Sequence, residues 1–224
     1  MFKKRSYRKE LLDAEQIPKQ ELIKNLHELE YINTWLGGHA VTLAGFTHFS
    51  FDTHRNYRIL DVGSGGGDNL RHIARWAERL NFRFELVGVD FKKDCVNYAQ
   101  KHCREFPEIR FMQSDYRDLG ERQATCDIML ACLFCHHLPD EELVSFLQWA
   151  HANSKLGVII NDLHRHTLAY HSISWLTRFF SRSRLVKHDA KLSVLRAFSK
   201  KELELLLASG VSGCVTRRGK RPRG

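Results

Sequence analysis

The sequence predicts an α/β fold, a doubly wound and mostly parallel sheet with helices on both faces. Two observations carry that expectation. From residue 58 onward, short apolar runs alternate with amphipathic stretches of helical period. The first apolar run also feeds directly into a glycine-rich turn that opens a helix, the commonest start of a βαβ unit.

In chain order, residues 7–35 predict helix, with Leu11, Leu12, Leu22, Ile23, Leu26, Leu29 and Ile32 recurring mostly three or four apart. Pro18 should split this stretch in two, and Gly37-Gly38 should end the second piece. Strands are expected at Arg58–Val62, Phe84–Val89, Arg110–Met112, Asp127–Leu133 and Val158–Ile160. Helices are expected between them near 68–80, 92–104 and 140–152. Such alternation covers a parallel sheet on both faces. Residues 163–200 differ. They hold eight arginines and lysines against the single acid Asp189, and five aromatic rings, with Leu168, Ser172, Trp175, Leu176 and Phe179 on one helical face. This stretch is expected to be a lid insertion of about 163–200, followed by a helix near 199–208. The expected division is an N-terminal helical cap over 1–45 and the sheet domain over 46–224.

Composition excludes several classes. With 43% hydrophobic and 27% charged residues, the 224-residue chain is ordinary globular material. The longest apolar run, Ile128–Phe134, is far too short to span a bilayer. Met1-Phe2-Lys3-Lys4-Arg5 starts like a signal peptide, but Glu10, Asp13 and Glu15 follow where an apolar stretch should be. Six scattered cysteines without such a signal suggest reduced thiols in the cytoplasm. The net charge of +9 sits at the ends: five basic residues and one acid in 1–10, five basic residues and no acid in 217–224, and 25 of each sign between. Nucleic acid is therefore an unlikely partner, and the ends are expected to fray.

The chemistry concentrates in Ile59-Leu60-Asp61-Val62-Gly63-Ser64-Gly65-Gly66-Gly67-Asp68. Glycines permit positive φ and let a ligand approach the backbone, and the helix start presents unpaired N–H groups. A dinucleotide fingerprint needs a small residue three after the second glycine, where Asp68 stands, so NAD is disfavoured. Asp61 would repel a pyrophosphate but suits a ligand carrying an amine or sulfonium. Asp90, at the tip of the second strand, can accept from ribose hydroxyls. Asp115 with Tyr116 ends the third, where an acid could accept from an adenine amine and a ring could cover the base.

These pieces, with Cys126–Leu133 and Phe134-Cys135-His136-His137-Leu138 after them, resemble the class I S-adenosylmethionine-dependent methyltransferases, whose fold is Rossmann-like. Glu28–Gly38 and Asn161–Val186 are more loosely similar to a bacterial subgroup acting on small molecules. The resemblance implies S-adenosyl-L-methionine as cofactor. Gly63, Gly65 and Gly67 would make room for its methionine portion, and Asp61 would face the ammonium. Asp90 would hold the ribose with Phe91 beside the adenine, Asp115 and Tyr116 would meet the base, and Leu133 would lie under the cofactor. The family's pattern also closes the sheet with two further strands, the last antiparallel. After the helix, only Val211–Thr216 suits a strand, so the final one is expected to be missing, with a second copy as one way to supply the edge.

His136, His137 and His164 follow strand ends at the ligand edge and are the candidate catalytic residues, as general bases, the alternative for the first two being a structural or cofactor-wall role. Asn161, Asp162 and His166 are further acceptor-site candidates. The histidine spacing defines no recognisable metal site, so none is expected. Cys132-Leu133-Phe134-Cys135-His136 matches the c-type haem pattern, but its cysteines fall where a buried strand ends, and burial is the simpler account. The expected function is methyl transfer to oxygen or carbon of a small hydrophobic or phenolic acceptor, with peripheral membrane contact through the basic aromatic lid. RNA methylation, and cofactor binding without catalysis, are the alternatives.

Overall fold

The structure is a computed structural model that describes residues 2, 4–14 and 16–210, the side chains of 209 and 210 excepted. Five parallel strands form one sheet in the order β3-β2-β1-β4-β5: β1 Asn56–Val62, β2 Arg83–Asp90, β3 Ile109–Gln113, β4 Cys126–Cys132 and β5 Ser154–Asn161. All five coincide with expected strands; four are longer by one to four residues at an end, and β4 begins and ends one residue earlier than expected. β4 is buried along its whole length, as a central parallel strand must be when helices cover both faces. The strand order reverses between β1 and β4, and ligands of doubly wound sheets bind beside that switch point.

The helices are α1 Lys19–Leu36, α2 Gly38–Phe46, α3 Asp68–Arg79, α4 Lys93–His102, α5 Glu121–Ala124, α6 Asp140–Asn153, α7 Thr167–Phe180, α8 Arg184–Arg196 and α9 Lys200–Gly210. Among the described residues, no helix is long and apolar enough to cross a membrane. The described residues form two compact units that interleave along the chain. One comprises 2–31, 133–148 and 162–210. The other holds 32–132 and 149–161, including the whole sheet.

Two expectations need correction, and one helix was not expected. The described residues of 7–17 contain no α-helix, only one tight turn, Leu11–Asp13, flanked by the extended Glu10 and Ala14. The Asp189 carboxylate takes the backbone N–H groups of Leu11 and Leu12, both at 2.9 Å, and the Asp13 carboxylate takes that of Glu10. Those donors are thereby lost to any helix. The N-terminal stretch is not a frayed end either: Arg5 is 8% exposed and Glu10 is buried. Finally, Gly37-Gly38 ends one helix and begins another, α2. Gly37 adopts φ +77°, which reverses the chain at no steric cost, and Gly45 of α2 packs so closely on β5 that a Cβ there would lie 2.8 Å from Ile159. The strand expected at Val211–Thr216, the basic end and Cys214 lie outside the described residues.

The main core lies on one face of the sheet, where Phe46, Ile59, Leu70, Ile73, Phe84, Leu86 and Ile128 pack together. Phe51 and Trp76 extend it through edge and tilted ring contacts. The five described cysteines are buried, Cys132 and Cys135 among them, so the haem-like spacing is part of the packing.

Candidate functional sites: a glycine loop with buried carboxylates, and a separate histidine cluster

The loop after β1 is built by backbone bonds. Gly63 and Ser64 both donate N–H to Val89 O, at 2.8 and 3.0 Å, which ties the turn to the end of β2. Gly63, Gly65 and Gly67 take φ of +74°, +52° and +75°, a region that a side chain disfavours. Gly67 is also sterically closed: a Cβ there would lie 2.6 Å from the Phe111 ring and 3.0 Å from Cys103 Sγ. Gly67→Ala should therefore cost about 2–4 kcal/mol, from left-handed strain plus overpacking. Urea unfolding reads this directly, and an unchanged midpoint would contradict the tight-loop account.

Asp90 does more than end β2. Its carboxylate accepts from Gly65 N–H at 3.0 Å and Lys92 N–H at 2.8 Å, so it braces the loop and starts the next helical segment. Phe91, the next residue, is 57% exposed, with Lys92 Nζ 4.7 Å from its ring centroid. Asp61 lies at 1% exposure on β1, and its Oδ1 has no hydrogen-bond partner among the described residues. Burial, then the nearby Asp68 and Asp90 charges, push its carboxyl well above the ordinary range. Ser64 Oγ, also buried, is likewise unpartnered there. A cation-bearing ligand that donates hydrogen bonds would satisfy such a site.

Asp115 is placed less favourably for a ligand. Arg117 holds its carboxylate through the backbone N–H, Nε and a terminal nitrogen, at 2.9, 3.0 and 2.6 Å. Those bonds keep its carboxyl below the usual range. The Tyr116 ring packs against Trp149, with centroids 5.0 Å apart. Asn161 donates to Gly38 O and Thr42 Oγ1, which fastens β5 to α2 instead of facing an acceptor. His39 joins that lattice, 3.1 Å from Asn69 Oδ1 and stacked on His72.

Leu133, directly after β4, has φ +52°, a strained conformation for a leucine, of the kind that collects at functional sites. The histidines that follow belong to the other compact unit and form a cluster of their own. His136 is buried. Its Nδ1 lies 2.6 Å from Asp162 Oδ1, its backbone N–H donates to Asp162 Oδ2, and its Nε2 faces Glu10 Oε1 at 3.7 Å. His137 Nδ1 lies 2.7 Å from Asp13 Oδ1, and the two imidazoles are 4.2 Å apart. Burial pushes Glu10 up to about 7, against the lowering effect of His137, the Ser193 hydroxyl and Arg196. His164 is not part of the cluster. It is exposed, its ring stacks with His166, and its backbone bridges to Phe198.

Two arginines frame the cluster. Arg196 donates to the carbonyls of His136, His137 and Arg8, at 3.1, 2.8 and 3.0 Å, and to Asp13 at 2.6 Å. Arg5 donates to the carbonyls of His136, Leu138 and Arg196, pairs with Asp140, and stacks on Phe198. Sequence reasoning counted Arg5 with a fraying basic end and Arg196 only among the eight basic residues of 163–200. Nothing in the local pattern separates a buried arginine from a solvated one, and only the apolar Leu195 and Ala197-Phe198 flanking Arg196 hint at burial.

Residues 59–157 match the family described as a methyltransferase domain. The parallel sheet and the glycine loop after β1 have the arrangement that the resemblance to class I S-adenosylmethionine-dependent methyltransferases implies. Among curated proteins, the chain is 23% identical over 139 residues to the mitochondrial ubiquinone biosynthesis O-methyltransferase of Saccharomyces cerevisiae. That match takes in 62% of this chain and 42% of the relative, so the chain spans about two fifths of that protein's length. Among solved structures, it is similar to the plantazolicin methyltransferase BpumL with S-adenosylhomocysteine and a desmethylplantazolicin analogue (17% identity, TM-score 0.57, 84% of this chain and 68% of that one). It is also similar to human N-acetylserotonin methyltransferase with S-adenosylmethionine (16% identity, TM-score 0.58, 86% and 50%). At such identities these two likenesses speak for the fold.

Proposed function

We propose that the protein transfers a methyl group from S-adenosyl-L-methionine to an oxygen or carbon of a small hydrophobic or phenolic acceptor. The observation that carries the cofactor assignment is the buried, unpartnered Asp61 oxygen behind a loop of left-handed glycines. A ligand with an ammonium group supplies the missing donor and positive charge, the loop admits it close to the backbone, and Asp90, at the tip of β2, would accept from ribose hydroxyls. Phe91 and Leu133 would lie against the adenine and beneath the cofactor. Asp115 would meet the adenine amine only by sharing its carboxylate with Arg117. The cofactor supplies a methyl already activated by positive sulfur, so the chain's residues have to align the acceptor, exclude water and, for a hydroxyl, take its proton.

The proton acceptor we favour is His137. Asp13 at its Nδ1 leaves Nε2 free to accept, and its side chain is 22% exposed, against 3% for His136. His164 has no carboxylate behind it in the described contacts and is the weaker candidate. An oxygen acceptor also accords with the yeast relative, whose name specifies O-methylation. On α7, Leu168, Trp175, Phe179 and Phe180 are exposed and suit covering a flat apolar acceptor or resting on a membrane surface, with Arg178 and Arg182 nearby. The experiment is a labelled-methyl assay on cell extract, followed by mass identification of the product. Label in a low-molecular-mass, extractable product supports the proposal, and label confined to RNA overturns the acceptor class.

A further inference from the structure

We infer that Glu10, His136 and His137 form a binding site for a borderline divalent transition-metal ion of the zinc and cobalt type. One ligand atom from each lies within 4.8 Å of the other two, and His136 Nε2 is already 3.7 Å from Glu10 Oε1. A tetrahedral zinc site needs its ligand atoms about 3.3 Å apart, so small side-chain shifts complete it.

Three features make this more than proximity. Both imidazoles are backed by a carboxylate on the opposite nitrogen, Asp162 for His136 and Asp13 for His137. A proton held on each Nδ1 leaves each Nε2 lone pair for a metal, the arrangement that orients most metal-binding histidines. The local charge also asks for a cation. Glu10, Asp13 and Asp162 place three carboxyl groups around the two imidazoles, with the guanidinium of Arg196 beside two of them and Arg5 paired with Asp140. Finally, His137 is partly exposed, which gives an ion a way in. Two imidazole nitrogens and a carboxylate, with no thiolate, suit zinc, cobalt or iron better than calcium or magnesium, and three protein ligands leave a coordination position open. Arg196, with Nε 3.8 Å from Glu10 Oε1, is the competing cation, and protons on the two imidazoles would balance the same charge.

The inference deepens the proposed function, because an ion at this site would lower the pKa of an acceptor hydroxyl where His137 alone would have to remove its proton. Its binding test needs neither cofactor nor acceptor. The chelator-treated full chain is titrated with Co²⁺ followed by its visible absorption, and with Zn²⁺ in competition. The expected result is one ion per chain. Glu10→Gln and His137→Gln should each weaken binding tenfold or more. Asp162→Asn, which leaves all three ligands in place, should weaken it about 10–100-fold. Should the buried Glu10→Gln variant unfold, His137→Gln at the partly exposed ligand carries the test. No stoichiometric uptake, or unchanged affinity in these variants, overturns the metal site. S-adenosylmethionine binding that persists in that case leaves the methyltransferase proposal standing.

Discussion

Replacing Arg196 with methionine should remove about 3–5 kcal/mol of stability, the largest effect expected of any single substitution here. The guanidinium is buried and meets three backbone carbonyls and the Asp13 carboxylate, with Glu10 close by. Methionine fills much of the volume but leaves those acceptors without a donor, and two carboxylates without their cation. Against a total stability of about 5–15 kcal/mol, that loss is a large fraction. Arg196→Lys should rescue little, because one ammonium cannot reproduce a planar fork that reaches four acceptors. Arg117→Met is the control. Its ion pair with Asp115 is exposed, and such pairs contribute about 0–1 kcal/mol. Urea unfolding of the three variants checks the ordering. A loss below about 1 kcal/mol for Arg196→Met would mean that the histidine cluster is not held from this side.

Asp61→Asn should separate stability from ligand binding. Burial and the Asp68 and Asp90 charges raise the folded-state pKa of Asp61, so its ionisation opposes folding. The sign follows. Whatever stability Asp61 contributes is fully present below its unfolded pKa, near 3.9, and is lost as pH rises towards the folded value. The asparagine variant escapes that loss. At pH 7 it should therefore melt above the wild type, by roughly 2–10 °C for about 1–3 kcal/mol of relieved desolvation. The advantage should shrink as the pH approaches 4. The same substitution removes the negative charge meant for the cofactor's ammonium, so S-adenosylmethionine affinity should fall about 10–100-fold. Calorimetric melts from pH 4 to 8 and a cofactor titration check both halves. A variant that is less stable and binds as well as the wild type would place Asp61 in the core for packing alone.

These two residues also mark how far the sequence could be followed. The sheet was legible because apolar runs and amphipathic helices alternate strictly from residue 58, and a parallel sheet buried on both faces leaves that pattern. The glycine loop, Asp61 and Asp90 were legible because strand end, turn and helix start are contiguous, so local spacing fixes the geometry. The histidine cluster was only half visible. His136 and His137 stand at a strand end, but their partners are Asp162, 26 residues away, and Glu10 and Asp13 more than 120 residues away. No spacing rule reaches that far. The same limit explains residues 7–17, whose apolar spacing suggests a helix. Asp189, from α8, captures the backbone donors that helix would need. Gly37-Gly38 ends α1 as expected but gives no sign of α2, because a left-handed glycine ends a helix whether or not a second one starts at the next residue.

The most direct measurement is equilibrium binding of S-adenosyl-L-methionine to the wild-type chain and to Asp90→Ala. One equivalent bound by the wild type, with a large loss of affinity in the variant, is the predicted outcome. No binding by a folded wild-type chain would contradict the assignment of the glycine loop and its carboxylates as a cofactor site.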